Sequence, residues 1–339
     1  MNILITGGCG FLGVRLARTL LQQGSLSLAG AAPRPITRIT LADRAPPPDD
    51  LARDPRIAFV GGDLNELLDS GRLPGAGVAL IFHLAAAVSG ECEADFDLGM
   101  RSNLDATRAL LEGCRALGTK PVLVYSSSLA VFGHSSQQPL PPVLEDHSLP
   151  TPQSSYGIQK FIGEQLVADY GRKGFVEGRS VRLMTVSVRP GRPNGAASSF
   201  LSGMIREPLA GQRALCPVHP DTGVALSSPA RTVEGLIRAA QASPIEWGPR
   251  TALNLPGLMT TVREMAQALE RVAGSAATTL LDWRIDPAIE KIVISWPGNV
   301  KTARAAALGL HGDTSFEQII RDYVRENPEA VKLSLQKEA

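Results

Sequence analysis

Tyr156 and Lys160 are the two residues of this 339-residue sequence whose types and spacing most directly suggest chemistry. They stand four positions apart, so on an α-helix both side chains lie on one face. With 4 Tyr and 7 Lys in the chain, a Tyr-x-x-x-Lys match is expected by chance only about 0.08 times. We expect the ammonium to lower the pKa of the phenol, which can then act as a general base toward a substrate hydroxyl. The alternative is a surface Tyr and Lys without a catalytic role.

Three consecutive serines, Ser126 to Ser128, precede this pair and follow the apolar run Val122-Leu123-Val124. A hydroxyl at the end of a strand can hydrogen-bond a reacting oxygen. The same hydroxyls can instead simply cap a loop. Their spacing to Tyr156 makes them candidates for the same site.

The segment from Thr6 to Gly13 suggests a second kind of chemistry. Its residues, Thr-Gly-Gly-Cys-Gly-Phe-Leu-Gly, lie between an apolar run and a helical pattern. Glycines in such a turn let backbone N–H groups approach a pyrophosphate at a helix N-terminus. A plain glycine-rich turn is the alternative, but the position between strand and helix favours a dinucleotide-binding loop. Cys9 lies inside this loop, where a helix N-terminus can lower the pKa of its thiol and make it oxidisable.

Acidic residues follow the second and third apolar runs. Asp43 can hydrogen-bond the ribose hydroxyls of an adenosine and would repel a 2′-phosphate, which favours NAD. Arg44 comes next and could accommodate a 2′-phosphate, so NADP stays an alternative, and Asp43 could also be a plain turn residue. Asp63 can bond the adenine or cap the helix that begins at Leu64. His83 lies in an apolar run and is predicted to be a hydrogen-bonded core residue rather than a catalyst.

Strand-length apolar runs alternate with helical patterns through the first 190 residues and would position these groups. The runs are rich in Ile, Val and Leu without strict alternation, which is typical of parallel strands covered on both faces. The predicted strands are Asn2–Thr6, Ile36–Ala42, Ile57–Gly61, Ala79–Leu84, Pro121–Ser126 and Val181–Val186. The predicted helices between them are Leu12–Gln23, Ala94–Leu117 and Ser154–Tyr170. The alternation predicts an α/β fold with a doubly wound parallel sheet.

After residue 190 the alternation ends. Helices are predicted at Ser199–Ala210, Ala230–Gln241, Val262–Val272 and Ser315–Glu326, with a returning strand at Ala252–Leu255. We therefore predict a dinucleotide-binding domain over residues 1–190, completed by the returning strand, and a smaller, mostly helical substrate-binding region over residues 191–339. That region would close over the carboxyl ends of the strands, where such sheets bind ligands.

Composition excludes several classes of function. The chain has 34 Lys plus Arg against 33 Asp plus Glu, and a net charge of +1 argues against nucleic-acid binding. The most apolar stretch, Val78 to Val88, is too short to span a membrane and contains a histidine. The 4 Cys and 5 His are scattered without metal-ligand spacing, so neither a metal site nor a disulfide framework is expected. The N-terminus lacks a basic leader, and a cytoplasmic location is predicted.

Together these motifs resemble the extended short-chain dehydrogenase/reductases, the superfamily that includes nucleotide-sugar epimerases. The resemblance also rests on Leu84-Ala85-Ala86 and Val131-Phe132-Gly133, and it covers nearly the whole chain. It implies that Tyr156 is the acid/base, that Lys160 also holds the nicotinamide ribose, that Ser128 orients the substrate oxygen and that Asn103 supports the site. The implied cofactor-binding residues are Gly7, Gly10, Phe11, Leu12, Gly13, Asp43, Asp63, Leu64, Leu84, Ala85, Ala86, Asn103, Ser126, Tyr156, Lys160 and Thr185.

A narrower resemblance is to the D-erythronate dehydrogenases. It rests on Val88-Ser89-Gly90-Glu91, on Ser187-Val188-Arg189-Pro190-Gly191-Arg192-Pro193-Asn194, on Arg206-Glu207-Pro208-Leu209 and on Ser295-Trp296-Pro297-Gly298. It implies NAD-dependent oxidation of the C2 hydroxyl of a sugar acid to the 2-oxo acid, within carbohydrate metabolism. A substrate carboxylate would require a guanidinium, for which Arg192 and Arg206 are candidates. The implied substrate contacts are Ser89, Ser128, Arg192 and Asn194.

The substrate half of the sequence departs from that narrower family. Gly223 and Ala225 stand where an Arg and a Trp are usual soon after Asp-Thr, and Ala230 replaces the Arg of a Ser-Pro-Arg motif. Met184 stands where a proline is expected. Loss of an Arg removes a bidentate anion partner, so a different substrate is an open alternative.

Two further functions stay open. A nucleotide-sugar epimerase or dehydratase would use the same Tyr156 and Lys160 with tightly bound NAD, and it would need a pocket for a nucleoside diphosphate. A noncatalytic dinucleotide-binding regulator would not need those two residues. The family resemblance also implies a homodimer formed through the helices predicted at Ala94–Leu117 and Ser154–Tyr170.

Overall fold

The computed structural model describes residues 1–191, 193, 195–333 and 335. The strands in this part of the chain are β1 Asn2–Thr6, β2 Ser25–Leu26, β3 Arg34–Pro35, β4 Arg38–Asp43, β5 Ile57–Gly61, β6 Val78–His83, β7 Val122–Ser128, β8 Glu177–Leu183, β9 Thr185–Val186, β10 Ala214–Cys216, β11 Gly223–Ser227, β12 Leu253–Asn254, β13 Leu258–Thr261 and β14 Leu281–Trp283. The α-helices are α1 Phe11–Gln23, α2 Asp49–Ala52, α3 Leu64–Asp69, α4 Ser89–Ala94, α5 Phe96–Gly99, α6 Ala106–Leu117, α7 Ser155–Arg172, α8 Phe200–Leu209, α9 Pro229–Gln241, α10 Pro244–Trp247, α11 Val262–Ala273, α12 Ser275–Thr278, α13 Pro287–Ile294, α14 Ala303–Ala307 and α15 Phe316–Glu326.

Seven strands form one parallel sheet in the order β12-β8-β7-β6-β1-β4-β5. β1 lies between β4 and β6, where Ile5 pairs with Leu41 on one side and with Phe82 on the other. The strand order changes direction at β1, so a crevice opens beyond the carboxyl ends of these strands. The predicted doubly wound α/β sheet is confirmed.

Both faces of this sheet are covered by helices. Ile5 packs in a core with Leu16 of α1 and Leu236 of α9, whereas its neighbour Leu4 packs on the other face with Leu110 of α6. These side chains are at most 2% exposed. Burial on both faces explains why the strands carry continuous apolar runs in place of alternation.

The helix predicted from Ala94 to Leu117 is confirmed from Phe96 to its end, but its start is wrong. The chain forms α4 and α5 with a break at Asp95, whose carboxylate accepts a hydrogen bond from the Leu98 N–H and starts α5. A π-helical segment, Met100–Asp105, then leads into α6. The break arises because an Asp side chain competes for backbone donors inside a helical pattern.

The strand predicted from Val181 to Val186 also divides. β8 stays in the main sheet, whereas β9 leaves it and pairs with β11, which itself pairs with β13. Residues Leu253 and Asn254 return to pair with Val181 and Arg182 at the edge of the main sheet. The division of the chain at residue 190 stays a prediction.

The region after β9 has its own apolar core, formed mainly by α8, α11 and α15 with β11. None of the helices in the described ranges combines the length and the apolar composition needed to cross a membrane.

Candidate active site

The glycine-rich loop connects β1 to α1 at the centre of the sheet. Gly7 turns with a φ of +67° and donates its N–H to the Ala42 carbonyl at 2.9 Å. Gly10 is the N-cap of α1, and the first turn of α1 carries no acidic side chain. A Cβ on Gly13 would lie 2.3 Å from the Gly7 carbonyl oxygen, so this close approach requires glycine. The first turn of α1, from Phe11 to Gly13, therefore presents its backbone N–H groups and the positive end of the helix dipole to the crevice.

Two adjoining cavities run along the crevice and share Gly7, Gly10, Leu84 and Ala86. The first has a volume of about 440 Å³, and its lining includes the predicted residues Asp43, Asp63, Leu64 and Ala85. The second has a volume of about 290 Å³, and its lining includes the predicted residues Phe11, Leu12, Gly13, Ser89, Ser126, Ser128, Tyr156, Lys160 and Thr185. The glycine loop thus lies between the end of the crevice that carries Asp43 and Asp63 and the end that carries Tyr156 and Lys160.

Asp43 and Asp63 line the first cavity in fixed positions. The Asp43 carboxylate accepts hydrogen bonds from the backbone N–H groups of Cys9 at 3.0 Å and Arg44 at 2.7 Å. The Asp63 carboxylate accepts a hydrogen bond from the Asn65 N–H and caps α3, which confirms the predicted cap. Asp63 also lines the first cavity. A dinucleotide fits this end because a fixed carboxylate at the end of the second long strand suits ribose hydroxyls.

The prediction that Cys9 has a lowered pKa is wrong. Burial, together with the negative charge of Asp43, raises the pKa of the Cys9 thiol to about 11. Its own backbone N–H is the group that holds Asp43, so the carboxylate lies close to the sulfur. At this position desolvation and the nearby carboxylate outweigh the helix dipole.

Tyr156 stands in the first turn of α7. Ser154 caps this helix by accepting a hydrogen bond from the Gly157 N–H at 3.1 Å. A Cβ on Gly157 would lie 2.1 Å from the Ala130 carbonyl oxygen, so the glycine lets α7 approach the end of β7. As a result Tyr156 comes within hydrogen-bonding reach of Ser128, as predicted from the spacing of the two motifs.

Burial raises the pKa of Tyr156 to about 12, although the Ser128 hydrogen bond and the positive charge of Arg189 oppose this rise. The predicted lowering of this pKa by Lys160 is therefore wrong. The Lys160 Nζ lies 5.8 Å from the centre of the Tyr156 ring and is itself 2% exposed. Burial lowers the pKa of Lys160 to about 8, so its charged form is disfavoured in the same environment.

Lys160 is held by the strand that carries the serines. Its Nζ donates a hydrogen bond to the Ser126 carbonyl oxygen at 2.9 Å and lies 5.0 Å from the centre of the Tyr125 ring. The i, i+4 spacing therefore puts both Tyr156 and Lys160 on the cavity side of α7.

The three serines have different environments. The Ser126 hydroxyl donates to the His83 carbonyl at 2.8 Å, and the Ser127 hydroxyl donates to Glu164 at 2.5 Å. The Ser128 hydroxyl accepts from Ala130 N–H at 3.1 Å and lowers the pKa of the nearby Tyr156 phenol against the effect of burial. Ser128 is thus both a cap and the serine placed beside the phenol.

Two predicted residues lie behind the cavity wall. His83 is buried and bonded to Thr6 Oγ1 at 2.6 Å and Thr107 Oγ1 at 3.0 Å, so the predicted core role is confirmed. Asn103 is 1% exposed, and its side chain bonds both backbone groups of Ala87. Asn103 lines neither cavity, so the structure places it as a support for the wall and not as a cofactor contact.

The structure brings only part of the predicted substrate contacts to the second cavity. Ser89 lines the second cavity and accepts a hydrogen bond from Ala197 N–H, whereas Arg192 and Asn194 lie outside the described residues. Arg206 does not line either cavity, because its guanidinium donates to the Arg189 carbonyl and pairs with Glu207.

Sequence reasoning missed Arg189, which lines the second cavity together with Met184 and Trp296. The available signal was its place just after β9, at the same edge of the sheet as Ser128.

The chain is similar over most of its length to proteins of known family. The model of the NAD dependent epimerase/dehydratase family matches residues 3–222. The chain is 50% identical to a D-erythronate dehydrogenase of Cupriavidus necator over 96% of this chain and 98% of that protein. It is 41% identical to a D-erythronate dehydrogenase of Haemophilus influenzae over 96% of this chain and 99% of that protein.

Its fold is also that of a solved relative. The crystal structure of the nucleoside-diphosphate-sugar epimerase from Agrobacterium tumefaciens superposes with a TM-score of 0.87 and 39% identity. That match covers 97% of this chain and 95% of the other. The predicted family resemblance is confirmed, and the chain belongs to the NAD dependent epimerase/dehydratase family.

Proposed function

We propose that the protein is an NAD-dependent dehydrogenase that oxidises a secondary hydroxyl of a small hydroxy acid or sugar acid. The observation that carries this proposal is the meeting of Tyr156, Ser128 and Lys160 at one end of a crevice that has Asp43 at its other end. Two relatives, at 50% and 41% identity, are D-erythronate dehydrogenases, which supports a sugar acid oxidised at C2 to the 2-oxo acid.

The crevice suits NAD in three respects. Gly7, Gly10 and Gly13 shape the turn into α1, whose first N–H groups would hold the pyrophosphate, and Asp43 would hold the adenosine ribose. Lys160 lies on the wall of the second cavity, where it would hold the nicotinamide ribose. Bound NAD supplies the acceptor for the hydride that leaves the substrate carbon.

The chain's own residues would handle the proton. Tyr156 Oη would accept the proton of the substrate hydroxyl, and Ser128 Oγ would hydrogen-bond the same oxygen and keep it in line. Ser128 and Arg189 are the groups that lower the pKa of Tyr156 against the effect of burial. We therefore assign to them the stabilisation of the phenolate.

A panel of C3 to C6 hydroxy acids and aldonates, tested with NAD and with NADP by reduced-cofactor absorbance, tests this function. For Tyr156→Phe we expect turnover to fall by about 10²- to 10⁴-fold, because proton transfer loses its general base. NAD affinity should stay within about threefold, since the ring remains. Tyr170→Phe is the matched control: Tyr170 lies near the other end of α7 and bonds Glu112, away from both cavities.

The outcomes separate the alternatives. Reduction of added NAD by a hydroxy acid supports the dehydrogenase, whereas turnover of a nucleotide sugar without net reduction of added NAD supports the epimerase. Full activity of Tyr156→Phe would refute the role of Tyr156 as general base, whereas NAD binding without turnover of any of these substrates would support a noncatalytic regulator.

We also infer a cytoplasmic homodimer. The thiols of Cys9, Cys92, Cys114 and Cys216 are unpaired, which suits a reducing compartment. The outer face of α7 exposes Ile158 and Ile162, which supports a helix-to-helix contact between two copies.

A further inference from the structure

We propose that Arg189 binds the carboxylate of the substrate and makes the enzyme select hydroxy acids over neutral alcohols. This inference rests on the proposed dehydrogenase function and names the residue that would set its substrate class. Three features of the described residues carry it: the place of Arg189, its missing hydrogen-bond partner, and the charge of the surrounding wall.

Arg189 is held in place by α8. Its backbone N–H donates to Ser202 Oγ at 3.0 Å, and its carbonyl oxygen accepts from Arg206 Nη1 at 2.8 Å. Both partners are buried, at 1% and 7% exposure. The backbone is therefore fixed on both sides, and the Arg189 side chain lines the second cavity.

One donor of the Arg189 guanidinium has no partner. Its Nη2 atom is buried and has no hydrogen-bond partner within the described ranges. A buried donor of a charged group is costly to leave unpaired, because the desolvation of that group is not offset. Other buried arginines of this region are paired: Arg206 with Glu207, and Arg182 with Glu164.

The wall around Arg189 favours an anion. Among the described residues that line the second cavity there is no Asp or Glu, and the other cation, Lys160, donates to the Ser126 carbonyl. With a net charge of +1 on the whole chain, a long-range field contributes little, so a local contact must hold an anionic substrate. A guanidinium is suited to that contact since its planar donors match the two carboxylate oxygens.

The position of Arg189 relative to Tyr156 indicates where the carboxylate would lie on the substrate. The two side chains share the second cavity and interact electrostatically, so both can face one small molecule. A 2-hydroxy acid places its hydroxyl on the carbon next to the carboxylate and can contact both residues at once. A neutral hydroxy compound would leave the guanidinium unpaired, and such unpaired sites discriminate strongly.

Arg189→Met tests the assignment in two ways. The first compares kcat/KM with NAD for D-erythronate and for its neutral primary amide. We expect the value for the acid to fall at least about 100-fold and the preference for acid over amide to fall at least about tenfold, because the lost phenolate stabilisation at Tyr156 slows both substrates alike. Arg189→Lys should recover part of the loss, because it restores the charge without the bidentate geometry. The control is Arg263→Met, since Arg263 is exposed, pairs with Asp221 and lines neither cavity.

The second readout is binding of oxalate in the presence of NAD, measured by calorimetry. We expect the affinity to fall at least about tenfold in Arg189→Met and to be unchanged in Arg263→Met. NAD affinity and thermal unfolding of each variant establish that the fold is retained.

The two readouts separate the proposals. If wild-type protein oxidises no hydroxy acid but binds oxalate through Arg189, the dehydrogenase proposal fails while the carboxylate site stands. Equal oxalate affinity in wild type and Arg189→Met, or an undiminished preference for acid over amide, overturns the role of Arg189.

Discussion

Replacing Lys160 by Met should stabilise the protein at neutral pH while removing its activity. Burial lowers the pKa of Lys160 from 10.5 to about 8, so the folded chain holds an ammonium at neutral pH against a desolvation cost. In the unfolded chain this group is already protonated below its ordinary pKa. The folded state therefore loses stability as the pH falls from 10.5 toward 8, and the loss is complete below that value.

The size of the effect follows from that pKa. The interval between 10.5 and about 8 corresponds to about 3 kcal/mol of folding free energy at pH 7. Met removes this cost but leaves the Ser126 carbonyl without its donor, which costs about 1–3 kcal/mol. We expect a net gain of up to about 2 kcal/mol at pH 7. At about pH 9.5 much of the wild-type amine is neutral, so the gain should shrink by about 2 kcal/mol.

Urea unfolding of cofactor-stripped wild type and Lys160→Met at about pH 7 and about pH 9.5, followed by tryptophan fluorescence, measures this change. Other groups titrate in both proteins and cancel in the difference. Lys120→Met is the control, because Lys120 is half-exposed and pairs with Glu177 at the surface. The same stability difference at both pH values would refute the reasoning, whatever its sign.

Two other substitutions test the loop and the dimer. Gly13→Ala places a Cβ 2.3 Å from the Gly7 carbonyl oxygen, so NAD affinity measured by calorimetry should fall at least about tenfold. Gly75→Ala is the control, because a Cβ on Gly75 would have no heavy atom within 4 Å, and it should leave the NAD affinity unchanged. An unchanged NAD affinity in Gly13→Ala would contradict the proposed role of the loop. Ile162→Glu on α7 should convert dimers to monomers in sedimentation velocity. Ile245→Glu is the control, because Ile245 lies outside α7 and its side chain is 94% exposed. This variant should stay dimeric, and equal behaviour of the two variants would contradict the proposed interface.

The sequence predicts those parts of the fold in which a local pattern, such as an apolar run or an i, i+4 spacing, is compatible with a single structure. β1 begins and ends as predicted, because a run buried on both faces has clear limits. β5 also begins and ends as predicted, although it is a partly exposed edge strand. The i, i+4 spacing and the Ser154 cap likewise suffice to place Tyr156 and Lys160 on the cavity side of α7. These features depend on neighbours that are close in sequence.

The errors come from interactions between residues that are distant in sequence. The pKa of Tyr156 depends on how deeply α7 packs against β7, and the i, i+4 spacing contains no information on that burial. Arg206 looked like a free guanidinium, but the fold places Glu207 and the Arg189 carbonyl around it. Arg189 could be recognised only once the cavity wall was assembled.

The same distinction, between interactions that are local in sequence and those that are not, bears on the four sequence departures of the substrate half. Ala230 is exposed on α9 and lies in a separate groove beside Arg15, so it does not reach the crevice. Gly223 is exposed at the start of β11, and a Cβ there would come no closer than 3.9 Å to Gly298.

Ala225 and Met184 are the departures that can alter the site. Met184 lines the second cavity together with Trp296, and Ala225 is buried and packs with both of these residues. A small side chain behind them changes the volume and shape of this wall, whereas Arg189 is held independently by Ser202 and Arg206. The departures therefore bear on the size of the part of the substrate that faces Met184 and Trp296. They leave unchanged the contacts that fix Arg189, the residue to which we assign the carboxylate.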